Sequence, residues 1–200
     1  KFIYEKEDFD YIIPMDGDGE DRPEEIKEFL NYIKDNKEKT IVGERIKRSE
    51  SLLFQVCYKM HKLITFTFTG NIIKFGNFTC LPKKTVEKMI NEKATWNSFS
   101  GALTKVEKDL ISIPSIRGSR YFGPSKMSFY NLIKHSLSII SVFRKTFLIR
   151  SALFIVLYIL LIKTNASVIT AIPLILLLIA VYSISNLALR ENMDEFEKSL

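Results

Sequence analysis

Apolar and polar positions follow two rhythms along this chain, and near Phe147 both give way to almost unbroken apolar sequence. "FDYIIPM" is a short apolar run with an abrupt polar stop, the pattern of a buried strand. Pro14 favours a strand end or edge, because proline brings no N–H to a ladder. "DRPEEIKEFLNYIK" predicts a helix: Asp21 or Arg22 caps it, Pro23 takes the first helical position, and Glu24 and Glu25 fill the first turn. Ile26, Phe29, Leu30 and Ile33 recur at helical spacing and mark its buried face. "KTIVGER" reads as a second strand. A helix follows from Ser51 to about Phe66, with Leu52, Leu53, Val56, Met60, Leu63 and Ile64 on one side. "GNFTCL" is strand-like, Pro82 opens a helix to about Asn91, and "LISIPSI" is a last strand. Strands alternating with helices predict α/β architecture.

The C-terminal third has a different pattern. Val168 to Leu189 carries no charge over about 22 residues, enough to cross a hydrocarbon core of roughly 30 Å. "TFLIRSALFIVLYILLI" is a second apolar segment, with Arg150 able to reach the interface, and "KTNAS" joins the two. A transmembrane hairpin is expected; the alternative is a buried core hairpin. Lys134, Arg144, Lys145 and Arg150 lie on one side of it, with Arg190 beyond the second span, while only Lys163 lies in the connection. By the positive-inside rule the polar part is cytoplasmic and the protein is a multi-pass membrane protein. "MSFYNLIKHSLSIISVFRK" forms an amphipathic helix that either lies on the membrane surface or packs on the domain core.

Charge adds a further contrast. Lys and Arg number 29 against 23 Asp and Glu, a net +6. Yet "MDGDGEDRPEE" collects Asp16, Asp18, Glu20, Asp21 and Glu24 just past the first strand. Asp16 and Asp18 are two apart, so on an extended segment they point the same way. Strand ends are where open α/β sheets bind ligands. Two hard carboxylates completed by substrate phosphate suit Mg2+ or Mn2+. A calcium loop is excluded, because Asp21 and Lys27 stand where it needs glycine and glutamate. A solvated turn that caps the next helix remains an alternative. "VGERIKR" and "RGSRYFGPSK" set Arg45, Lys47, Arg48, Arg117, Arg120, Ser125 and Lys126 after two other strands. Arginine forks suit phosphate, although a basic surface beside a membrane also attracts anionic lipid. If the strands run parallel, all three segments meet at one edge. Cys57 and Cys80 have no metal-type spacing and read as reduced thiols.

In combination these motifs resemble family 2 glycosyltransferases of the polyprenyl-phosphate sugar transferase type, which includes dolichol-phosphate mannosyltransferase. "MDGDGEDRPEEI" is similar to their "MDADLQDPPE" element and "VGER" to their Gly-x-Arg segment. "GNFTCLPKKTVEKM" resembles their "GFR" element, and "RYFGPSKMSF" their "R-x-x-G-x-SK" element. The match runs from about Phe9 to Phe143. Asn77 and Thr79 depart from the "GFR" element, and "WNSFSGAL" lacks an acid common in relatives. The resemblance implies a GT-A fold, with residues 1–126 as the C-terminal part of the catalytic domain and 127–146 as a membrane-surface helix. Residues 147–189 would be the hairpin and 190–200 a cytoplasmic tail. Strands that supply the nucleotide pocket are expected before Lys1, and this fragment alone is expected to be inactive.

The implied activity moves a sugar from a nucleotide-sugar donor to a polyprenyl-phosphate carrier in the cell envelope. Asp16, Asp18 and Glu20 would form the metal site. Asp18 and Arg120 would be catalytic, and Arg45, Arg48, Arg117, Ser125 and Lys126 would hold substrate phosphates. The expected partners are donor, acceptor and lipid bilayer, with no nucleic acid and homo-oligomerisation left open. Two other functions remain: transfer to a hydroxyl of a lipid-linked saccharide, and a non-catalytic membrane-anchored module.

Overall fold

The computed structural model describes residues 1–47, 52–123, 128–191 and 194. Four strands, β1 (Tyr11–Ile12), β2 (Thr40–Lys47), β3 (Phe75–Pro82) and β4 (Leu110–Ile116), form one sheet in the order β1-β3-β2-β4. β3 runs antiparallel to both β1 and β2, while β2 and β4 are parallel. The sheet is therefore mixed, and β1, β2 and β4 share one direction. Pro114 pairs opposite Glu44 on the outermost strand, where a missing N–H costs no second ladder.

Alternation along the strands divides the core in two. Ile41, Phe78, Cys80 and Ile113 face α2 (Ile26–Asp35), which inserts Phe29 among them. Val42 and Leu81 face the other way, toward Val86 and Met89 of α4 (Lys83–Ile90) and Ala102 and Leu103 of α5 (Phe99–Val106). A short α1 (Phe2–Lys6) and a 3-10 turn (Lys93–Trp96), neither expected from the pattern, close this second layer. Cys80 is a free thiol, and burial pushes its pKa up to about 11, so it stays neutral and serves as packing.

Several expected boundaries shift. The first strand keeps only two residues, since the chain turns away before Pro14. Pro23 opens a 3-10 turn (Pro23–Glu25) rather than the α-helix itself, and its cap is Arg22, with no side-chain bond. Phe29 is fully buried, but Leu30, assigned to the same face, is half exposed.

The largest correction concerns α3 (Leu52–Thr69). Its apolar side carries Val56, Met60, Leu63 and Ile64, and all four are exposed. The side chains of Leu52 and Leu53 lie outside the described residues. α3 instead packs beside α6 (Phe129–Ser141) and α7 (Arg144–Ile162). α6 joins both regions. Val142, its C-cap, enters the sheet core, while Ile140 packs with Phe147 of α7 and Ile184 of α8 (Val168–Ala188).

α7 and α8 form an antiparallel pair long and apolar enough to cross a membrane. Only 11% of either apolar window is buried, which argues against a buried core hairpin. Ser167 and Thr170 cap α8 reciprocally, and the Tyr158 hydroxyl donates to the Thr170 carbonyl across the pair.

Phe29 meets the Phe78 ring edge-on at 4.8 Å, centroid to centroid. Phe29→Ala is expected to destabilise the sheet domain by about 3–5 kcal/mol, as large-to-small core substitutions do. Denaturant unfolding of the chain in detergent micelles measures it; a loss below about 1 kcal/mol would mean that this contact does not organise the core.

Candidate functional site

Strand direction brings the site together. The segments that follow β1, β2 and β4 leave the sheet at the same end, and β3, running against them, begins there. The acidic turn, Arg45, Asn77 and the basic segment after β4 thus share one edge.

The acidic turn is shaped by its own bonds. Asp18 accepts the Glu20 N–H at 3.0 Å, and Asp21 accepts the Asp16 N–H at 3.0 Å. Gly19 sits at φ +89, a conformation that L side chains rarely adopt, and the Tyr121 ring covers the space where a Cβ would project. Two backbone bonds then join the turn to the segment after β4. Gly118 N–H donates to the Glu20 carbonyl at 2.8 Å, and Tyr121 N–H donates to the Asp18 carbonyl at 2.9 Å. Gly118 passes so close to the Gly19 carbonyl that a side chain at 118 would force the loops apart. Glu25 accepts the Ile116 N–H at 2.9 Å and ties the following helix to the end of β4.

Side-chain charges follow this backbone scaffold. Glu20 is paired with Arg117 and accepts from Arg120 Nε at 2.8 Å. Arg120 also reaches Asp18 at 3.3 Å. Arg45 lies 3.9 Å from the buried Asp21, with its guanidinium over Gly76. Asn77 donates to Asp16 across 3.5 Å. The structure therefore gathers Asp16, Asp18, Glu20, Arg45, Arg117 and Arg120 at one edge. Arg48, Ser125 and Lys126 lie outside the described residues. Asp21, Asn77 and Tyr121 join the site without having been singled out for it. Asp21 had read as a helix cap; only its burial beside Arg45 reveals its place.

The metal expectation narrows. Among the described residues, no three His, Cys, Asp or Glu side chains are grouped so as to hold an ion. Glu20 is occupied by two guanidinium groups and does not suit a ligand role. Asp16 and Asp18 remain, two partly exposed hard carboxylates. They fit a cation whose other ligands come from phosphate and water, the usual manner of Mg2+. They do not form a cage that would hold one unaided.

The chain matches no protein-family model, no curated protein and no solved structure. Its function is therefore argued from this site and from the two apolar helices.

The Asp21 carboxyl has a raised pKa, chiefly through burial and secondarily through Asp16 and Asp18, against the opposing Asp16 N–H and Arg45. A folded-state pKa above the ordinary value of 3.8 contributes stability below that value and loses it as pH rises through the folded pKa. Asp21→Asn keeps an acceptor for the Asp16 N–H and has no charge to bury. Its stability relative to the unsubstituted chain should therefore rise as pH climbs from below 3.8 toward neutral. Thermal unfolding across that range is the measurement, and a relative stability of the variant that stays constant or falls as pH rises would show that Arg45 outweighs burial.

Proposed function

We propose that this protein is part of a membrane-bound glycosyltransferase that moves a sugar from a nucleotide-sugar donor to a polyprenyl-phosphate carrier. The observation that carries the reading is the meeting of Asp16 and Asp18 with Arg45, Arg117 and Arg120 at one sheet edge. Carboxylates suited to a phosphate-completed cation beside permanently charged forks are what two phosphate-bearing substrates require. The motifs that resemble the polyprenyl-phosphate sugar transferases lie on these same segments. A GT-A fold belongs to this proposal.

In the reaction, the bond from the anomeric carbon to the donor diphosphate breaks, and a bond forms to an acceptor phosphate oxygen. The nucleoside diphosphate leaves with the electron pair. A Mg2+ or Mn2+ ion held by Asp16, Asp18 and the donor phosphates would supply charge neutralisation at the leaving group. Arg117 and Arg120 sit beside those acids and present positive charge to whichever phosphate displaces Glu20. The acceptor phosphate is already anionic at neutral pH, so no general base is needed. A hydroxyl acceptor would need one.

A second reading is favoured by one specific observation. Glu20 is fully engaged by arginines, and the two loops are joined by backbone bonds, as in a purely structural clasp. A non-catalytic membrane module would need no more. Membranes that carry the protein, supplied with labelled nucleotide sugars and polyprenyl phosphate, separate the two readings. Transfer that vanishes in chelator and in Asp18→Asn supports the enzyme; no transfer with any donor supports the module.

Arg120→Ala should lower transfer to polyprenyl phosphate by about ten- to a hundredfold, the equivalent of one charge-assisted contact of roughly 1.5–3 kcal/mol. Donor affinity should change far less. If donor affinity falls instead, Arg120 serves the donor phosphates.

Lys134, Arg144, Lys145, Arg150 and Arg190 flank the hairpin on one side and Lys163 alone marks the other, so the site faces the cytoplasm. In intact cells, Asn165→Cys should react with an impermeant thiol reagent added outside. Labelling only after lysis would reverse or abolish this topology.

A further inference from the structure

α3 has the polarity of a water-exposed helix turned inside out. Val56, Met60, Leu63, Ile64 and Phe66 lie on its open side, each 42% to 59% exposed. The opposite side, toward α6 and α7, buries Thr65 and Thr69. These inward hydroxyls are satisfied locally: Thr69 donates to the Thr65 carbonyl at 2.6 Å, and Thr65 shares a bond with His61 at 3.4 Å. A surface helix of a water-soluble domain does the reverse, turning its apolar stripe to the core. Exposing five large apolar side chains along one stripe is costly in water and needs an apolar surrounding.

The end of α3 shows which surrounding. Gly70, at φ +76, closes the helix and leaves room for the Arg150 guanidinium, which a Cβ at 70 would meet at 3.0 Å. Arg150 donates to the Phe66 and Thr67 carbonyls at 3.2 and 2.7 Å. Its charge complements the negative end of the helix dipole; it joins the Gly70 N–H at the Phe66 carbonyl and caps the Thr67 carbonyl. Phe68 packs on Phe147 and Phe154 of α7, with ring centroids 5.5 and 6.5 Å apart. Those two rings are separated by roughly 10 Å of helix rise. The C-terminal end of α3 is thus fastened to the first three turns of an apolar helix, beside the basic residues Arg144 and Lys145.

We propose that α3 is a third lipid-contacting element. It lies in the bilayer interface with Val56, Met60, Leu63, Ile64 and Phe66 against acyl chains, and Arg150 fixes it to the first membrane span. The inference rests on reading α7 and α8 as spans. Lipid is the occupant because α3 packs beside α7, whose Ile149, Leu153 and Phe154 are exposed like the stripe on α3, and Lys59, on the same exposed side as that stripe, suits the lipid phosphate layer. Arg150 is a positioning residue: it sets the depth of α3, and through α3 the distance between the sheet edge and the membrane. The β2 end that carries Arg45 and the β3 start that carries Asn77 flank α3 in the chain, so their height above the headgroups follows from that depth.

The test uses the whole chain in phosphatidylcholine and phosphatidylglycerol vesicles containing lipids brominated at shallow or deep acyl positions. A fluorophore is attached to a single introduced cysteine, Leu63→Cys, Leu178→Cys or Lys84→Cys, with Cys57→Ser; the buried, neutral Cys80 stays unlabelled. Shallow bromines should quench position 63, both depths should quench position 178, and neither should quench position 84. Arg150→Met should remove most of the quenching at 63 and none at 178, and Arg150→Lys should restore part of it. Quenching at 178 without quenching at 63 overturns the proposal and leaves the spans intact. Disulfide formation between two copies at 63, without quenching, assigns the face to a second copy and also overturns it. Absence of quenching at 178 removes the spans and the inference together. Unchanged quenching at 63 in Arg150→Met removes Arg150 from its role.

Discussion

The antiparallel pairing of β3 is the constraint on which the remaining structure depends. β1 has two residues, and among the described residues its only ladder is Tyr11 to Pro82 and Ile12 to Leu81. Without β3 it would have no partner, and the acidic turn that follows it would have no fixed place. β3 also joins β2 through Ile41 to Cys80 and Val42 to Thr79. Because it runs against both neighbours, and β4 runs parallel to β2, the segments after β1, β2 and β4 emerge on one side. Its alternating side chains supply both cores, Phe78 and Cys80 to one and Leu81 to the other. One strand thus sets the packing and the site geometry together.

At that edge, charge pairing does what apolar contact cannot. Asp21 is nearly buried and Glu20 largely so, and each faces guanidinium groups. Removing one partner would leave a desolvated charge, which costs far more than an exposed pair contributes. The exposed pair of Arg22 and Glu24, 3.8 Å apart, contributes little by comparison. The same pairing makes the arginines exchangeable. A phosphate presents the planar fork with the same geometry as a carboxylate and more charge. A clasp that holds two loops together without a ligand is therefore also a receptor for one.

The polar and apolar regions meet along α6. Its C-terminal end belongs to the sheet core and to the hairpin at once, through Val142 and Ile140. Asn97 at the start of α5 donates to Glu191 beyond α8 at 3.0 Å, a second tie between the domain and the end of the hairpin. With α3 fastened by Arg150, the sheet edge is held to the apolar helices at several separate places. A site so attached can be presented to a substrate whose head group stays in the membrane surface.

Local signals were legible in the sequence wherever a residue type has a single physical use. Pro82 stands at the N-cap of α4, "KTIVGER" and "LISIPSI" are strands, and the two long apolar runs are helices, each within a few residues of its expected limits. Asp16, Asp18, Arg45, Arg117 and Arg120 could be nominated because acids or arginines just past a strand end have few other roles. Spacing cannot say whether they meet, since that depends on strand direction, which the pairings of β3 and β4 decided. Nor could it assign Asp21, which is buried beside Arg45 of β2. Leu30 and the stripe on α3 show the deeper limit. Periodicity tells which side of a helix is apolar, because that follows from 3.6 residues per turn. What the apolar side meets depends on neighbours far along the chain. Only the packed structure, with Arg150 against the end of α3, decided that its stripe faces away from the protein.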